Sequence, residues 1–483
     1  MTYEVYAFKI VFFFLPENSV TVSITLSAFL LGLGFSTLIS KRLLRKKKLG
    51  YKKLLQLHFL LFSLLCIICF GALNLPASVI NLLGNYPIEE SQLLLGKGIL
   101  IWLILFLPAL LVGGFFPSLL SKEVDENDGS KNLNKVYFID IIGGAIGSLF
   151  AGIYWIPVFG LGQTLYLIII LSVLCLLVLN AKNWLNYTPL LGFIFLFFQT
   201  QETKNKSELI PYYSEFGEVI FQEPSAYGVV TIGKKLDPNY SKIAKRLFIN
   251  HRCMCSGTYN VSENELAENT LKSIKPEAKV VNIGLGCGYT ANAIASSEKV
   301  DSLTIMEINP TVIKAFKEEF SHINDQILNN QKVTVTNKDG LEYILLNKKE
   351  KFDAIIVDIE EPGVIQSSLI YTDEYIKLAS KQLNNGGVMA IWAIFGGDEY
   401  NKILYRTLKN TFPYVIFHSH HGNPQLYGSF EPFEKLVSQA DSSWNDLDES
   451  YLNTINNRVL EKSYSIRGTF MLPDNYVDDR ITQ

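Results

Sequence analysis

The stretch AKVVNIGLGCG, residues 278–288, sets a short apolar run directly against a turn carrying Gly284, Gly286 and Gly288. A run of this length ending in glycines reads as a buried strand, and helix-forming sequence from about Thr290 makes the turn a strand-to-helix junction. The same alternation continues downstream. Strand SLTIMEI (302–308) precedes helix TVIKAFKEEF (311–320), strand KVTVT (332–336) precedes a helix near 340–347, strand FDAIIVDI (352–359) precedes a helix near 372–384, and strand GGVMAIWAI follows at 386–394. Strands alternating with helices form a doubly wound, mostly parallel α/β sheet, and such sheets bind ligands at the carboxyl ends of their strands.

Those ends carry the candidate chemistry. Gly284, Gly286 and Gly288 let the backbone approach a ligand closely. Glu307 ends the next strand, where a carboxylate can accept the hydrogen bonds of two ribose hydroxyls. Asp339 and Gly340 end the third strand, and Asp358 ends the fourth. A glycine turn alone is a weak signal, since a tight strand-to-helix turn needs it too. The succession of glycine turn, acid, Asp-Gly and acid is more specific.

Working toward the N-terminus, the pattern changes twice. GVVTIG (228–233) and KRLFIN (245–250) are short strands between turn residues and predict a small β-hairpin unit, preceded by the polar linker QETKNKSELIP (201–211). Before the linker the chain is apolar, with candidate membrane helices at roughly 21–40, 54–75, 96–120, 137–158 and 163–181. Shorter apolar stretches lie at 4–16 and 187–199. The expected domains are therefore 1–200, a transmembrane helical region of six or seven segments; 201–275, linker and hairpin; and 276–483, the Rossmann-like catalytic domain.

Composition agrees with this division. The 483 residues are 48% hydrophobic and 18% charged, with mean hydropathy +0.20, too apolar for an ordinary soluble chain. Residues 1–200 hold 14 of the 43 Lys and Arg and 9 of the 46 Asp and Glu, so the second part is acidic. An acidic soluble part argues against nucleic acid as the partner. Six cysteines exclude a disulfide scaffold. No cleavable signal peptide is evident after Met1. The loop at 41–53 carries eight Lys and Arg, whereas 76–95 carries none, which places the former in the cytosol. A full span at 187–199 would put the soluble part outside. An interfacial segment keeps it in the cytosol, where a nucleotide-like metabolite is made, and that is the expected arrangement.

Other features have plainer readings. Asp140 within VYFIDIIGGAIGSLFAG is expected at the cytosolic start of its helix, capping or pairing there, rather than as a proton or ligand site. His418 and His420 of HSHH share a strand face and are expected to be exposed or hydrogen-bonded, and no metal site is expected. Cys253 and Cys255 straddle Met254 and, in a regular strand, face one side.

The sequence resembles the spermidine synthase family, and more closely its membrane-fused bacterial relatives. YEVYAFKI (3–10), SAFLLGLGFSTLIS (27–40) and FIDIIGGAIGSL (138–149) resemble the membrane part. PSAYGVVTI (224–232), RLFIN (246–250), the glycine turn, MEINP (306–310), KDG (338–340), FDAIIVD (352–358) and YTDEY (371–375) resemble the soluble part. The resemblance implies a β-hairpin subdomain followed by a class I methyltransferase-like domain, with decarboxylated S-adenosylmethionine or S-adenosylmethionine as co-substrate. It implies that Glu307 holds the ribose, Asp339 the adenine amino group, Gly284 and Gly286 the arm, and Asp358 the acceptor. Three positions depart from the family pattern: Cys287 stands where an amine-binding Asp is usual, Met254 where a Gln is usual, and Glu361 takes the place of the second acid of the catalytic loop. A diamine needs carboxylates near both ends, so putrescine is disfavoured as acceptor.

The resulting expectation is an integral enzyme of the bacterial inner membrane that transfers an aminopropyl-type group to an amine-like small molecule and releases methylthioadenosine. Asp358 and Glu361 are the candidate catalytic residues. Gly288 and Gly340 join Gly284, Gly286, Glu307 and Asp339 as binding residues. The rival readings are a lyase or cyclase acting on S-adenosylmethionine without an acceptor, a methyltransferase, and a non-enzymatic nucleoside sensor or transporter. The lipid bilayer is the one macroscopic partner expected, and homo-oligomer formation is left open.

Overall fold

A computed structural model describes residues 2–14, 19–45, 50–73, 99, 102–103, 105–124, 129–201, 216–237, 242–250, 252–257, 261–322, 325–347, 349–359, 367–393, 397–420 and 423–460. The chain divides into two compact units, 1–15 with 19–229 and 16–18 with 230–483.

The first unit is built on helices. They include Thr2–Phe14, Ser19–Arg45, Tyr51–Leu73, Phe115–Val124, Gly129–Phe150, Ile156–Asn180 and Thr188–Gln201. Two helical stretches among the described residues, 21–44 and 134–180, are long and apolar enough to cross a membrane. The second contains a π-helical turn at Ala151–Trp155 and a break at Gly160, whose φ of 77° leaves the helical region. The break falls between the expected segments 137–158 and 163–181, and glycine permits it because no Cβ opposes a positive φ. Asp140 differs from expectation. Its helix begins at Gly129, so Asp140 lies well inside it and is exposed rather than capping its start. The polar run GSKNLNK enters the helix ahead of the apolar residues, and the span estimate, which counts apolar residues only, could not include it. The loop 76–95 and the linker beyond Gln201 lie outside the described residues.

A four-stranded sheet has the order β1(Glu218–Ser225), β2(Gly228–Asp237), β3(Lys242–Ile249), β4(Arg252–Ser256). The pairs β2–β3 and β3–β4 are antiparallel, as the turn-separated strands required. In β4 the register shifts: Cys255 lies opposite Leu247, but Cys253 lies opposite Phe248. Met254 is the extra residue of a bulge. Cys253 and Cys255 therefore face opposite sides, correcting the expectation drawn from regular alternation, and Cys255 is buried while Cys253 is exposed.

The larger sheet has seven strands in the order β10-β11-β9-β8-β5-β6-β7. Their ranges are β5 Ala278–Ile283, β6 Val300–Glu307, β7 Val333–Asn337, β8 Phe352–Val357, β9 Leu383–Trp392, β10 Tyr414–His420 and β11 Asn423–Ser429. β5 through β9 pair in parallel, and β11 runs antiparallel to both of its neighbours. β5 is central, flanked by β6 and β8, so the order of strands reverses beside the glycine turn, where a ligand crevice belongs. One face packs a continuous apolar layer of Ile355, Val357, Met389, Ile391, Tyr371, Ile376 and Phe412. The central strands β5 and β8 are buried over nearly their whole length, which is why they read as apolar runs.

Candidate functional site

At the end of β5 the chain turns through Gly284, Gly286 and Gly288, all at positive φ (104°, 51° and 81°). Gly284 donates its N–H to the Met306 carbonyl at 2.8 Å. A Cβ at Gly284 would collide with the Asp358 carbonyl oxygen, and one at Gly288 would stand 2.6 Å from the Phe316 ring. The helix Tyr289–Ala295 starts immediately afterwards with Gly288 as its N-cap.

Glu307, at the end of β6, is buried. One carboxylate oxygen accepts the Leu285 N–H at 3.1 Å and the other accepts the Asn309 N–H at 2.9 Å. Burial pushes this carboxyl above the ordinary range, and the backbone N–H groups of Asn309, Leu285 and Ile308 oppose the shift. The two oxygens together have room for about four hydrogen bonds, so the carboxylate retains acceptor capacity beyond these three backbone contacts.

Asp339 caps the helix Gly340–Leu346, accepting the Leu341 N–H at 2.8 Å. The backbone of Gly340 sits against Ile283 of β5 with no room for a side chain. Asp339 also borders a cleft of about 530 Å³ lined by Lys338, Glu342, Tyr343, Leu346, Asn347 and Glu350. This hollow is formed largely by that helix and does not include the glycine turn.

Asp358 follows β8 and donates its N–H to the Ile283 carbonyl at 2.9 Å, adjoining the β5 end. Burial in the strand-end crevice pushes its carboxyl up to about 6, against a hydrogen bond with the Thr290 side chain that favours the charged form. Val357 and Ile391 are paired and both belong to the apolar layer. One step on, Asp358 and Trp392 therefore point to the opposite face. Trp392 pairs with Gln425, and Gln425 with His418. A row of four side chains on one face thus runs Asp358, Trp392, Gln425, His418 across β8, β9, β11 and β10. His418 Nε2 lies 2.9 Å from a Glu265 carboxylate oxygen, the hydrogen-bonded role expected of it, and the pair borders a cleft of about 410 Å³.

The structure thus brings Gly284, Gly286, Gly288, Glu307 and Asp358 together, with Asp339 and Gly340 one strand further out. Glu361 lies outside the described residues. Sequence reasoning missed Thr290, Trp392 and Cys255. The last forms a disulfide with Cys287 of the glycine turn. Among the described residues no group of three or more His, Cys, Asp or Glu is placed to hold a metal.

Strand order and glycine turn define a class I methyltransferase-like α/β domain, the doubly wound sheet that the alternating pattern implied and the domain type that the resemblance implied. Within it, residues 261–417 match the spermine/spermidine synthase domain family. The chain is 24% identical over 414 residues to a polyamine aminopropyltransferase of Leptospira interrogans, covering 81% of this chain and 76% of the relative. It is 22% identical over 400 residues to one of Oceanobacillus iheyensis, covering 78% and 72%. Among solved structures, a spermidine synthase in complex with the transition state analogue AdoDATO is 19% identical, covers 54% of this chain and 87% of its own, and gives a TM-score of 0.40. The expected resemblance and the expected transferase class are borne out by the domain match and the named relatives.

Proposed function

We propose that the protein is a membrane-integral, spermidine-synthase-like transferase that moves an aminopropyl-type group from decarboxylated S-adenosylmethionine, or a group from S-adenosylmethionine itself, to an amine-like small molecule. The observation that carries this reading is the Glu307 carboxylate. It is buried at a strand end, holds the glycine turn through the Leu285 N–H and retains acceptor capacity for a ribose hydroxyl. Gly284 supports it, since its positive φ and the Asp358 carbonyl against it admit no side chain and hold the turn tight on the end of β8.

The co-substrate supplies an electrophilic carbon bound to a sulfonium. The chain's own task is then alignment and proton removal. Glu307 orients the ribose, and Asp339 borders the position of the base. Asp358, charged above about pH 6, points an acceptor amine at the reacting carbon and keeps it neutral, with Glu361, three residues on in sequence, assigned to assist it. Trp392 walls the acceptor side. With Cys287 engaged in a disulfide, no carboxylate stands at that turn position, which favours an acceptor other than a diamine.

We assign the membrane part to residues 1–200, the linker and hairpin to 201–275 and the catalytic domain to 276–483. Residues within 134–180 support the first assignment: Ile153 is 71% and Val178 87% exposed, apolar surface that lipid would cover. The basic stretch at 41–53, which takes in the end of the helix Ser19–Arg45 and the start of the helix Tyr51–Leu73, supports a cytosolic placement of the catalytic part.

One assay tests the activity. Purified full-length protein in detergent is incubated with labelled S-adenosylmethionine or its decarboxylated form, with and without a mixture of mono-, di- and polyamines as acceptors, and products are identified by mass spectrometry. Methylthioadenosine with an alkylated amine supports the proposal, and methylthioadenosine with a cyclised arm supports a lyase. S-adenosylhomocysteine supports a methyltransferase, and no turnover removes the enzymatic reading.

A further inference from the structure

The glycine turn is held at both ends by hydrogen bonds: Gly284 N–H to the Met306 carbonyl, and Gly288 N–H to the Leu285 carbonyl. Between them Leu285 is held by Glu307. Its apex has a different anchor. Cys287, buried between two glycines in the left-handed region, is bonded to Cys255 of β4, 32 residues earlier, with 5.9 Å between their Cα atoms. Cys255 Sγ also lies 3.7 Å from the position a Cβ on Gly286 would take. The bulge at Met254 directs Cys255 into this contact and leaves Cys253 on the other side.

A turn with glycine at 284, 286 and 288 has more backbone freedom than one built of other residues. Without the cross-link, ordering the apex falls to ligand binding, which weakens affinity by the conformational entropy that must then be removed. In a reducing cytosol disulfides are transient and reversible. We propose that Cys255 and Cys287 are positioning residues for the co-substrate turn, and that affinity for the nucleoside depends on the oxidation state of this pair. The proposal rests on the reading of the turn as a nucleoside site. A dithiol reductant opens the bond: two electrons and two protons pass to the pair, giving two thiols, and the reductant closes to its own disulfide.

The test uses full-length protein in detergent. Alkylation followed by mass spectrometry establishes whether Cys255 and Cys287 are linked in air-oxidised protein. Calorimetry then measures methylthioadenosine affinity before reduction with dithiothreitol, after it, and after reoxidation. The expected result is a linked pair and a five- to tenfold weaker affinity on reduction, restored by reoxidation. Cys253→Ser should follow the natural protein, and the double variant Cys255→Ser/Cys287→Ser should stay at the weak value whether or not dithiothreitol is present. Both thiols alkylated in oxidised protein, or equal affinity in the two states, overturns the inference while leaving the nucleoside site intact. A lower melting temperature with unchanged affinity likewise overturns it, since the bond would then be structural only. Absence of binding in every state overturns the reading of the site as well.

Discussion

Glu307 at the end of β6 accepts the backbone N–H of Leu285 at 3.1 Å, so the acid proposed to hold a ribose also fixes the turn proposed to cradle the rest of the ligand. Binding and local order are joined in one carboxylate, which gives its substitution two separable effects.

Glu307→Gln should weaken methylthioadenosine binding by tenfold or more in calorimetry, because the amide presents N–H groups where acceptors are needed. It should also lower stability by about 1–3 kcal/mol, the scale for leaving buried partners unsatisfied. Unchanged affinity would remove Glu307 from the site.

Asp358→Asn should separate chemistry from folding. Loss of the charge is expected to cut turnover by about 100-fold or more with nearly normal nucleoside affinity. Near-normal turnover would assign Asp358 to capping its loop and nothing else.

The pH dependence has a definite sign. Asp358 has its pKa raised from 3.8 to about 6 by burial, so the folded state favours the protonated form. Its contribution to stability is present below about pH 3.8 and is lost as pH rises through about 6. Turnover should move the opposite way, rising through pH 6 as the carboxylate forms. At pH 8 the Asp358→Asn protein should therefore be as stable as the natural one or more so, by on the order of 1–3 kcal/mol. Chemical denaturation at pH 5 and pH 8 checks the first statement, and a kcat/KM profile checks the second.

Gly284→Ala should be poorly tolerated, with φ at 104° and the Asp358 carbonyl occupying the space of a Cβ. A cost of about 1–3 kcal/mol is expected from the backbone alone, read as a lower denaturation midpoint, together with loss of nucleoside binding. Full binding by this variant would show that the turn can relax away from β8.

A reporter active only in the periplasm, fused after Gln483, should give no signal. A strong signal would place the catalytic part outside the cytosol and require 187–199 to span.

The parallel strands were readable because burial on both faces leaves runs such as VVNI and AIIV with glycine or acid at their ends. That pattern marks Gly284, Glu307, Asp339 and Asp358 as strand-end residues from sequence alone. Three features escaped it for physical reasons. Pairing of Cys255 with Cys287 depends on how the antiparallel sheet meets the turn, which spacing does not encode. The bulge at Met254 breaks the two-residue period on which any facing argument rests. Trp392 looked like one more apolar strand residue, because its place beside Asp358 follows from register with β8 and β11. In the first unit, the polar residues after Gly129 join a helix that apolar counting begins later.

The contact that excludes a side chain at Gly284 is made by the carbonyl of Asp358, not by its carboxylate. Every amino acid has that carbonyl. The exclusion of a side chain at Gly284 is therefore a main-chain property of the β5–β8 junction, and it would persist whichever residue occupied position 358.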